Sequence, residues 1–274
     1  LLGQTSESLA GRIAYTELGS INAIEIEQTP QTEAVLWSRG GFPNSLLAPD
    51  DKAGLQWRRD LIRSYLERDI PQFGFRIPSE TLRRFWIMLA HHQGGLLNAA
   101  SLAAGLGVSG QSIARYLDIL VDLLLVRRLQ PWYANVGKRL VKSPKIYIRD
   151  SGILHALLDI DGLEQLLAHP ILGASWEGFV LESIISSLSS KWQYSYYRTS
   201  SQAEIDLILE GPKREVIAIE VKRSSSPKVT KGFHLASEDI KATKKFVIYS
   251  GQDRFQLTDD TEVISLNTFL SEID

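Results

Sequence analysis

Apolar residues recur every third or fourth position through the first half of the chain, which predicts amphipathic helices. The first helix covers residues 51–70 and is expected to end at Pro71. A second helix follows, with Ser79 as its expected N-cap. A short Ala-rich helix over Ala99–Gly105 and a third amphipathic helix, capped by Ser109, complete this part.

After residue 150 the pattern turns from helical to alternating. Helices are predicted over Ile153–Leu158 and Ala174–Leu188, with a shorter one over His234–Ile240. Alternating apolar and polar residues predict strands over Tyr194–Arg198, Ala203–Leu209, Val216–Lys222, Lys244–Tyr249 and Val263–Leu266. Near the start of the chain, Ile24–Glu27 is a further candidate strand. This mixture predicts an α/β or α+β fold.

The composition is that of an ordinary globular chain, with 274 residues of which 44% are hydrophobic and 23% charged. It contains no cysteine, which excludes disulfides, thiolate zinc sites, iron–sulfur clusters and cysteine nucleophiles. No apolar run is long enough to cross a bilayer and no secretory signal is visible, so we expect a cytoplasmic protein without a membrane partner. Because the chain begins at Leu1 rather than Met, we expect a fragment or a processed product.

Positive charge is concentrated in the middle of the chain. The formal net charge is −2, so any affinity for nucleic acid has to come from a local patch. Between Gly107 and Arg149 there are eight lysines and arginines against two aspartates. Such a local excess is typical of a surface that contacts DNA phosphates.

The order of elements around this basic stretch is that of a winged helix-turn-helix: three helices, then two strands joined by a basic loop. In that arrangement the third helix reaches base edges and the wing contacts phosphates. The expected nucleic-acid-binding residues are Ser109, Gln111, Ser112 and Arg115 on the helix, and Arg127, Arg128, Lys138, Arg139 and Lys142 in and around the wing. Winged helices also act as protein-interaction modules, so an acidic protein partner is an alternative to DNA.

Two of the predicted strands carry acidic residues among apolar ones. Alternation places Glu204, Asp206 and Ile208 on one face of the first, and Glu220 beside Lys222 on one face of the second. A hairpin between these strands would bring Asp206 close to Glu220. A carboxylate in an apolar strand is costly unless it is paired or bound to a metal, so these groups either pair with Lys222 or hold a hard cation.

Glu177 on a helix, then Asp206 on one strand and Ile-Glu-Val-Lys at residues 219–222 on the next, resemble the PD-(D/E)xK nuclease-like fold. The resemblance implies catalytic roles for Glu177, Asp206, Glu220 and Lys222. It implies that Mg²⁺ binds Asp206, Glu220 and the backbone carbonyl of Val221, and that Glu177 completes this metal site. By the same resemblance, Lys222 would steady the attacking water or the phosphate. A cation there would neutralise developing charge and lower the pKa of a water molecule.

Motifs along nearly the whole chain resemble the C-terminal part of a prokaryotic AAA-type ATPase family that carries a winged helix and a nuclease-like domain of unknown function. The motifs are Leu2–Thr5, Ser8–Arg12, Gly41–Pro43, Tyr65–Ile70, Pro144–Gly152, Trp176–Val180, Ala203–Asp206 and Ile219–Lys222. The resemblance implies that Leu1–Ile13 is the end of the ATPase core, with Gln4 or Thr5 at a sensor position. The sequence has no phosphate-binding loop, so we expect ATP only in a longer parent chain and no ATPase activity from this one.

These inferences predict three parts: an ATPase remnant with a linker helix (1–75), a winged helix-turn-helix (76–150) and a mixed-sheet α/β domain of the PD-(D/E)xK type (151–274). The expected function is that of a DNA-associated module of an AAA-type ATPase with a Mg²⁺-dependent deoxyribonuclease site. The alternative is a catalytically inactive module that binds DNA, a protein partner or a second copy of itself, because the fold does not settle the activity.

Overall fold

Helices dominate the first half of the chain and a mixed sheet the second, in a computed structural model that describes residues 16–75, 77–133, 140–201 and 203–273. This arrangement confirms the α/β class. The predicted contact residues Lys138 and Arg139, and the segment Leu1–Ile13 assigned to an ATPase core, lie outside the described residues. Among the helices of the described ranges, none combines the length and apolarity that crossing a membrane requires.

The first group of elements is helical: α1 (Pro30–Arg39), α2 (Pro43–Leu46), α3 (Asp51–Ser64) and α4 (Ile70–Gln72). The predicted strand at Ile24–Glu27 is wrong, because Ala23–Glu25 form a 3₁₀ turn. Pro71 does not end the long helix as expected. A π-helical turn over Tyr65–Asp69 follows α3 without a break in the helical backbone, and the short α4 contains Pro71 and ends at Gln72, one residue beyond the proline.

The second group comprises α5 (Ser79–His91), α6 (Ala99–Leu106), α7 (Gly110–Asp122), β1 (Val126–Leu129) and β2 (Lys145–Ile148). β1 and β2 are antiparallel, and Leu96 forms a bridge to Lys145 on the other edge of β2. The predicted cap of α7 is confirmed, since Ser109 Oγ accepts a hydrogen bond from the N–H of Ser112 at 3.1 Å. The predicted cap of α5 is wrong: Ser79 is its first residue and Pro78 precedes it without a side-chain cap.

The third group contains a six-stranded mixed sheet in the order β3-β4-β5-β6-β8-β7. β5 runs parallel to β6, and β6 to β8, whereas the remaining pairs are antiparallel. The elements are α8 (Ser151–Leu157), α9 (Leu163–Leu167), α10 (Leu172–Ser187), β3 (Gln193–Arg198), β4 (Glu204–Glu210), β5 (Val216–Lys222), α11 (Lys231–Asp239), β6 (Lys244–Tyr249), β7 (Phe255–Thr258), β8 (Thr261–Ser265) and α12 (Leu266–Glu272). The five strands predicted after residue 150 are confirmed, whereas α1, α2, α9, α12 and β7 were not predicted.

Hydrophobic clusters join elements from different groups. One cluster combines Trp37 of α1 with Trp176 of α10 and the apolar residues of β5. Another combines Leu55 of α3 with α5–α7 and with Leu154 of α8. Side chains on both sides of residues 75 and 150 therefore pack together, and the division into three parts stays a prediction.

The segment between β1 and β2 corresponds to the predicted wing, and we call it the wing segment. Its described ends lie along the edge of the large sheet. Tyr196 of β3 donates its N–H to the carbonyl of Gln130 and accepts from the N–H of Trp132, at 3.0 and 2.7 Å. Val141 donates to the carbonyl of Arg198 at 2.9 Å. These described ends thus pair with backbone groups of β3 that would otherwise be unpaired at the edge of the sheet.

Mostly buried ion pairs connect β1 to α10. Arg127 Nε and Nη2 donate to the two carboxylate oxygens of Glu182 at 2.5 and 2.8 Å. Arg149 Nε donates to the same carboxylate at 2.6 Å. Burial alone would raise the pKa of Glu182, but the two guanidinium groups hold it below its usual value. Glu182 is therefore the shared anion of two arginines from the preceding elements.

Glu182→Gln should lower the free energy of unfolding by about 3 kcal/mol, because it leaves two mostly buried arginines without their carboxylate. Asp118→Asn is the control, since its pair with Arg128 is largely exposed and should be worth less than ~1 kcal/mol. Urea unfolding followed by circular dichroism measures both variants. Equal effects of the two substitutions would contradict a structural role for Glu182.

Candidate functional site

A β-bulge in β4 sets the direction of Asp206. Between the pairs Ser195↔Ile208 and Tyr197↔Ile205, β4 contains one more residue than β3. The bulge breaks the predicted alternation: Ile208 packs in the same cluster as Ile205, not on the face of Asp206. Bulges re-aim side chains next to functional sites. Here the extra residue frees Asp206 from the regular alternation of the strand.

The side chain of Asp206 bridges the two strands that carry the candidate residues. β4 and β5 are paired from Glu210↔Val216 to Leu207↔Ile219. Beyond that point Asp206 Oδ2 accepts the N–H of Val221 at 3.0 Å. The predicted role of the Val221 carbonyl as a metal ligand stays a prediction, since the contact found here involves its N–H.

Glu220 and Lys222 form an ion pair beside Asp206. Alternation along β5 is confirmed, since Ile217, Ile219 and Val221 all belong to the large core cluster. Lys222 Nζ lies 2.6 Å from Glu220 Oε1, and Glu220 is buried. Burial, together with the nearby charge of Asp206, raises the pKa of Glu220 to about 8. The positive charge of Lys222 is thus not enough to keep this carboxyl group acidic.

Glu177 reaches the same place from α10. Its Oε1 accepts a hydrogen bond from the hydroxyl of Tyr147 at 2.5 Å. Burial and the charge of Asp206 raise the pKa of Glu177. Gly178 allows this approach, because a Cβ there would lie 2.3 Å from the amide nitrogen of Gln93, whose side chain binds the backbone of β2. Helix α10 can therefore lie against β2.

Lys145 is the site residue that sequence reasoning missed. It is buried, and its Nζ lies 2.8 Å from Glu204 Oε1, 3.3 Å from Glu177 Oε1 and 3.5 Å from Asp206 Oδ1. Burial alone would lower the pKa of Lys145, but these carboxylates raise it well above its usual value. The sequence analysis included Lys145 only among the eight cations of the basic stretch. Its position at the start of the apolar run Lys-Ile-Tyr-Ile could have indicated that it is buried.

We refer to Glu177, Glu204, Asp206 and Glu220 as the acidic cluster. Its oxygen donors suit a hard divalent cation in chemical type. Burial, together with repulsion between neighbouring carboxylates, raises the pKa of Glu177 and Glu220. The donor set therefore fits Mg²⁺ chemically. As the side chains stand, Lys145 and Lys222 lie against these oxygens, and no group of three or more potential ligands within the described ranges is arranged to hold a metal ion.

The predicted nucleic-acid-binding residues fall into two classes. Gln111 and Arg115 on α7 and Lys142 near the end of the wing segment are exposed. Ser109 and Ser112 bind each other through their hydroxyl groups at 3.0 Å and close the first turn of α7. Arg127 is taken up by Glu182 and by the hydroxyl of Tyr194, and Arg128 by Asp118. The structure thus brings most of the wing cations that it describes into internal ion pairs.

Comparison with known proteins places two domains of unknown function on this chain. Residues 33–164 match the model of one such domain (DUF8612), and residues 172–269 match another (DUF4143). Uncharacterized proteins of Mycobacterium tuberculosis and of Mycobacterium bovis are each 43% identical to the chain over 271 residues. The match covers 99% of this chain but 60% of either relative, so the chain spans about three-fifths of their length. No solved structure matches it.

Below neutral pH the Glu220 carboxyl group should stabilise the fold relative to its ionised form. In the unfolded chain the pKa of this group is near its ordinary value of 4.5, whereas in the folded chain it is about 8. Rising pH in this window therefore favours the unfolded chain, by up to about 1.4 kcal/mol for each pH unit. Wild type should lose stability between about pH 5 and pH 8 relative to Glu220→Gln.

Urea unfolding at several pH values in the presence of a chelator measures this difference. Glu262→Gln is the control, because its carboxylate pairs with Arg254 and that guanidinium group lowers its pKa. A wild-type pH dependence that Glu220→Gln leaves intact would show that another group titrates.

Proposed function

We propose that the chain is a DNA-associated module with a divalent-metal-dependent phosphodiesterase site formed by Glu177, Asp206, Glu220 and Lys222. The observation that supports it best is the electrostatic coupling of three carboxylates from α10, β4 and β5. The charge of Asp206 helps to raise the pKa of both Glu177 and Glu220. An ammonium group lies beside them. Carboxyl groups whose pKa values are shifted by burial and by neighbouring charges are concentrated at functional sites.

In this proposal each residue has a separate task. Asp206 and Glu220 supply the metal-binding oxygens, with Glu177 completing the set. Lys222 lies against Glu220 and is half-buried, so its ammonium group can hold a phosphate oxygen or a water molecule at the edge of the cluster. The chemistry that a bound divalent cation supplies is neutralisation of phosphate charge and a lower pKa for water.

Asp206→Asn and Lys222→Met should each reduce cleavage of plasmid or oligonucleotide DNA by about 100-fold or more, because each removes a charge that the transition state needs. The assay compares Mg²⁺, Mn²⁺ and chelator. Glu262→Gln is the matched control, as it neutralises a carboxylate on β8 that is paired only with Arg254. Cleavage that persists in both variants, or that does not need a divalent ion, would exclude this site.

The second candidate function is a non-catalytic module that binds DNA or a protein. The observation that favours it is Lys145, whose ammonium group compensates Glu177, Glu204 and Asp206 without any metal. A site of this kind is an ion-pair cluster that stabilises the fold. The cleavage assay separates the two functions.

DNA contact through α7 is part of the first candidate and of the DNA-binding form of the second. The order of α5, the bridge at Leu96, α6, α7, β1 and β2 supports the winged-helix assignment. The polar N-terminal end of α7 is exposed, as a helix that reads base edges requires. Arg127 is held in a mostly buried ion pair with Glu182, whereas Arg115 and Lys142 are exposed. We therefore expect Arg115 and Lys142 to be the main phosphate contacts among the described residues.

Arg115→Gln and Lys142→Gln should each weaken binding to duplex DNA and reduce the slope of log affinity against log salt by roughly 1. Arg59→Gln is the control, because Arg59 is equally exposed but lies on α3 and pairs with Asp159. Fluorescence anisotropy over a salt series measures all three. An affinity that does not depend on salt would favour a protein partner instead.

An ATPase partner domain is the third element of the proposal. The second matched domain is often found in proteins associated with AAA-type ATPases. This association supports a role for the chain as the effector part of such an assembly, with ATP bound by another part of a longer protein.

A further inference from the structure

The ammonium group of Lys145 occupies the part of the acidic cluster that a metal ion would need. It lies within 3.3 Å of Glu177 Oε1 and 3.5 Å of Asp206 Oδ1, so it holds one oxygen of each. The other oxygen of Asp206 accepts the N–H of Val221. Both oxygens of Asp206 are therefore engaged while Lys145 is in place.

The backbone of Lys145 is fixed from both sides. β1 pairs with it on one edge of β2 through Leu129, and Leu96 bridges it on the other edge. The neighbouring residues are held as well, since Pro144 accepts from Leu97 at 2.8 Å and Ile146 donates to Gly95 at 3.1 Å. Only the flexible side chain of Lys145 can leave the cluster without disturbing the small sheet.

Charge also favours exchange of this side chain for a metal ion. The four carboxylates of the acidic cluster face Lys145, Lys222 and Arg198. Lys145 adds one positive charge to this set and a divalent ion adds two. A carboxylate site this rich in oxygen donors prefers the divalent ion once the ammonium group moves aside.

We propose that Lys145 is an internal counter-cation that competes with a divalent metal ion for Asp206 and Glu177, and that metal binding expels its side chain from the acidic cluster. This inference rests on the proposed function. It makes β2 part of the candidate site: the strand stabilises the empty cluster and sets the metal concentration at which it loads.

Calorimetric titration of the full chain with Mn²⁺ tests the proposal in wild type, Lys145→Gln and Arg198→Gln. Lys145→Gln should bind Mn²⁺ about tenfold more tightly or better, since the competing charge is gone. Arg198→Gln is the matched control, because it removes the same charge, whereas the ion pair found for its side chain in the described residues is with Glu204, at 3.4 Å. Its affinity should rise by less than about threefold.

Equal Mn²⁺ affinities of wild type and Lys145→Gln, both abolished by Asp206→Asn, would overturn the competition and leave the proposed metal site intact. Absence of Mn²⁺ binding in every variant would overturn both. Binding by Lys145→Gln alone, lost again when Asp206→Asn is added, would support the competition in its strongest form.

A measurement on unaltered protein covers the case in which Lys145→Gln does not fold. Acetylation of lysines with acetic anhydride, read by mass spectrometry, reports the accessibility of Lys145. Its side chain is 4% exposed in the structure, so labelling should be slow in chelator and several-fold faster in Mn²⁺. Labelling that Mn²⁺ leaves unchanged or slows would overturn the proposal, and Lys52, on the exposed side of α3, serves as the internal reference.

Discussion

The burial of carboxylates between the small sheet and the large one is the constraint on which the arrangement of the two depends. Glu177, Glu204 and Asp206 come from α10 and β4, and the cation that faces all three comes from β2. Carboxylates removed from water need a partner charge or a hydrogen-bond donor. Lys145 and Tyr147 supply both, so β2 has to lie against α10. Gly178 makes that contact sterically feasible.

Pairing with carboxylates also determines where the basic residues in the middle of the chain lie. A local excess of arginines and lysines suggests a surface for phosphates, but a charge count does not say where each side chain points. Arg127 and Arg149 share Glu182 on α10, and Lys145 lies inside the acidic cluster. Much of the positive charge therefore balances acidic groups on α10 and β4. Among the described residues of this stretch, exposed and unpaired cations lie on α7 (Arg115) and at the end of the wing segment (Lys142).

The elements with clear local patterns could be predicted. Strict alternation in β5 predicted that Ile217, Ile219 and Val221 share a buried face, because side chains of a strand point to opposite sides in turn. β4 broke that rule, because its bulge depends on pairing with β3 and leaves no local signal. Short elements such as α9 and β7 were missed, since four or five residues hold too little periodicity to detect.

The candidate site contains residues that the sequence could place together and one that it could not. Asp206, Glu220 and Lys222 could be placed together because they stand on neighbouring strands of one hairpin, and Glu177 came from a resemblance. Lys145 could not be placed, because 61 residues separate it from Asp206 and only the packing of β2 beside β4 brings them together. The sequence by itself determined the strongly periodic helices and strands and the positions of the charged residues, since these follow from neighbours along the chain. Only the tertiary structure decided which charges meet, because partners distant in sequence are selected by packing.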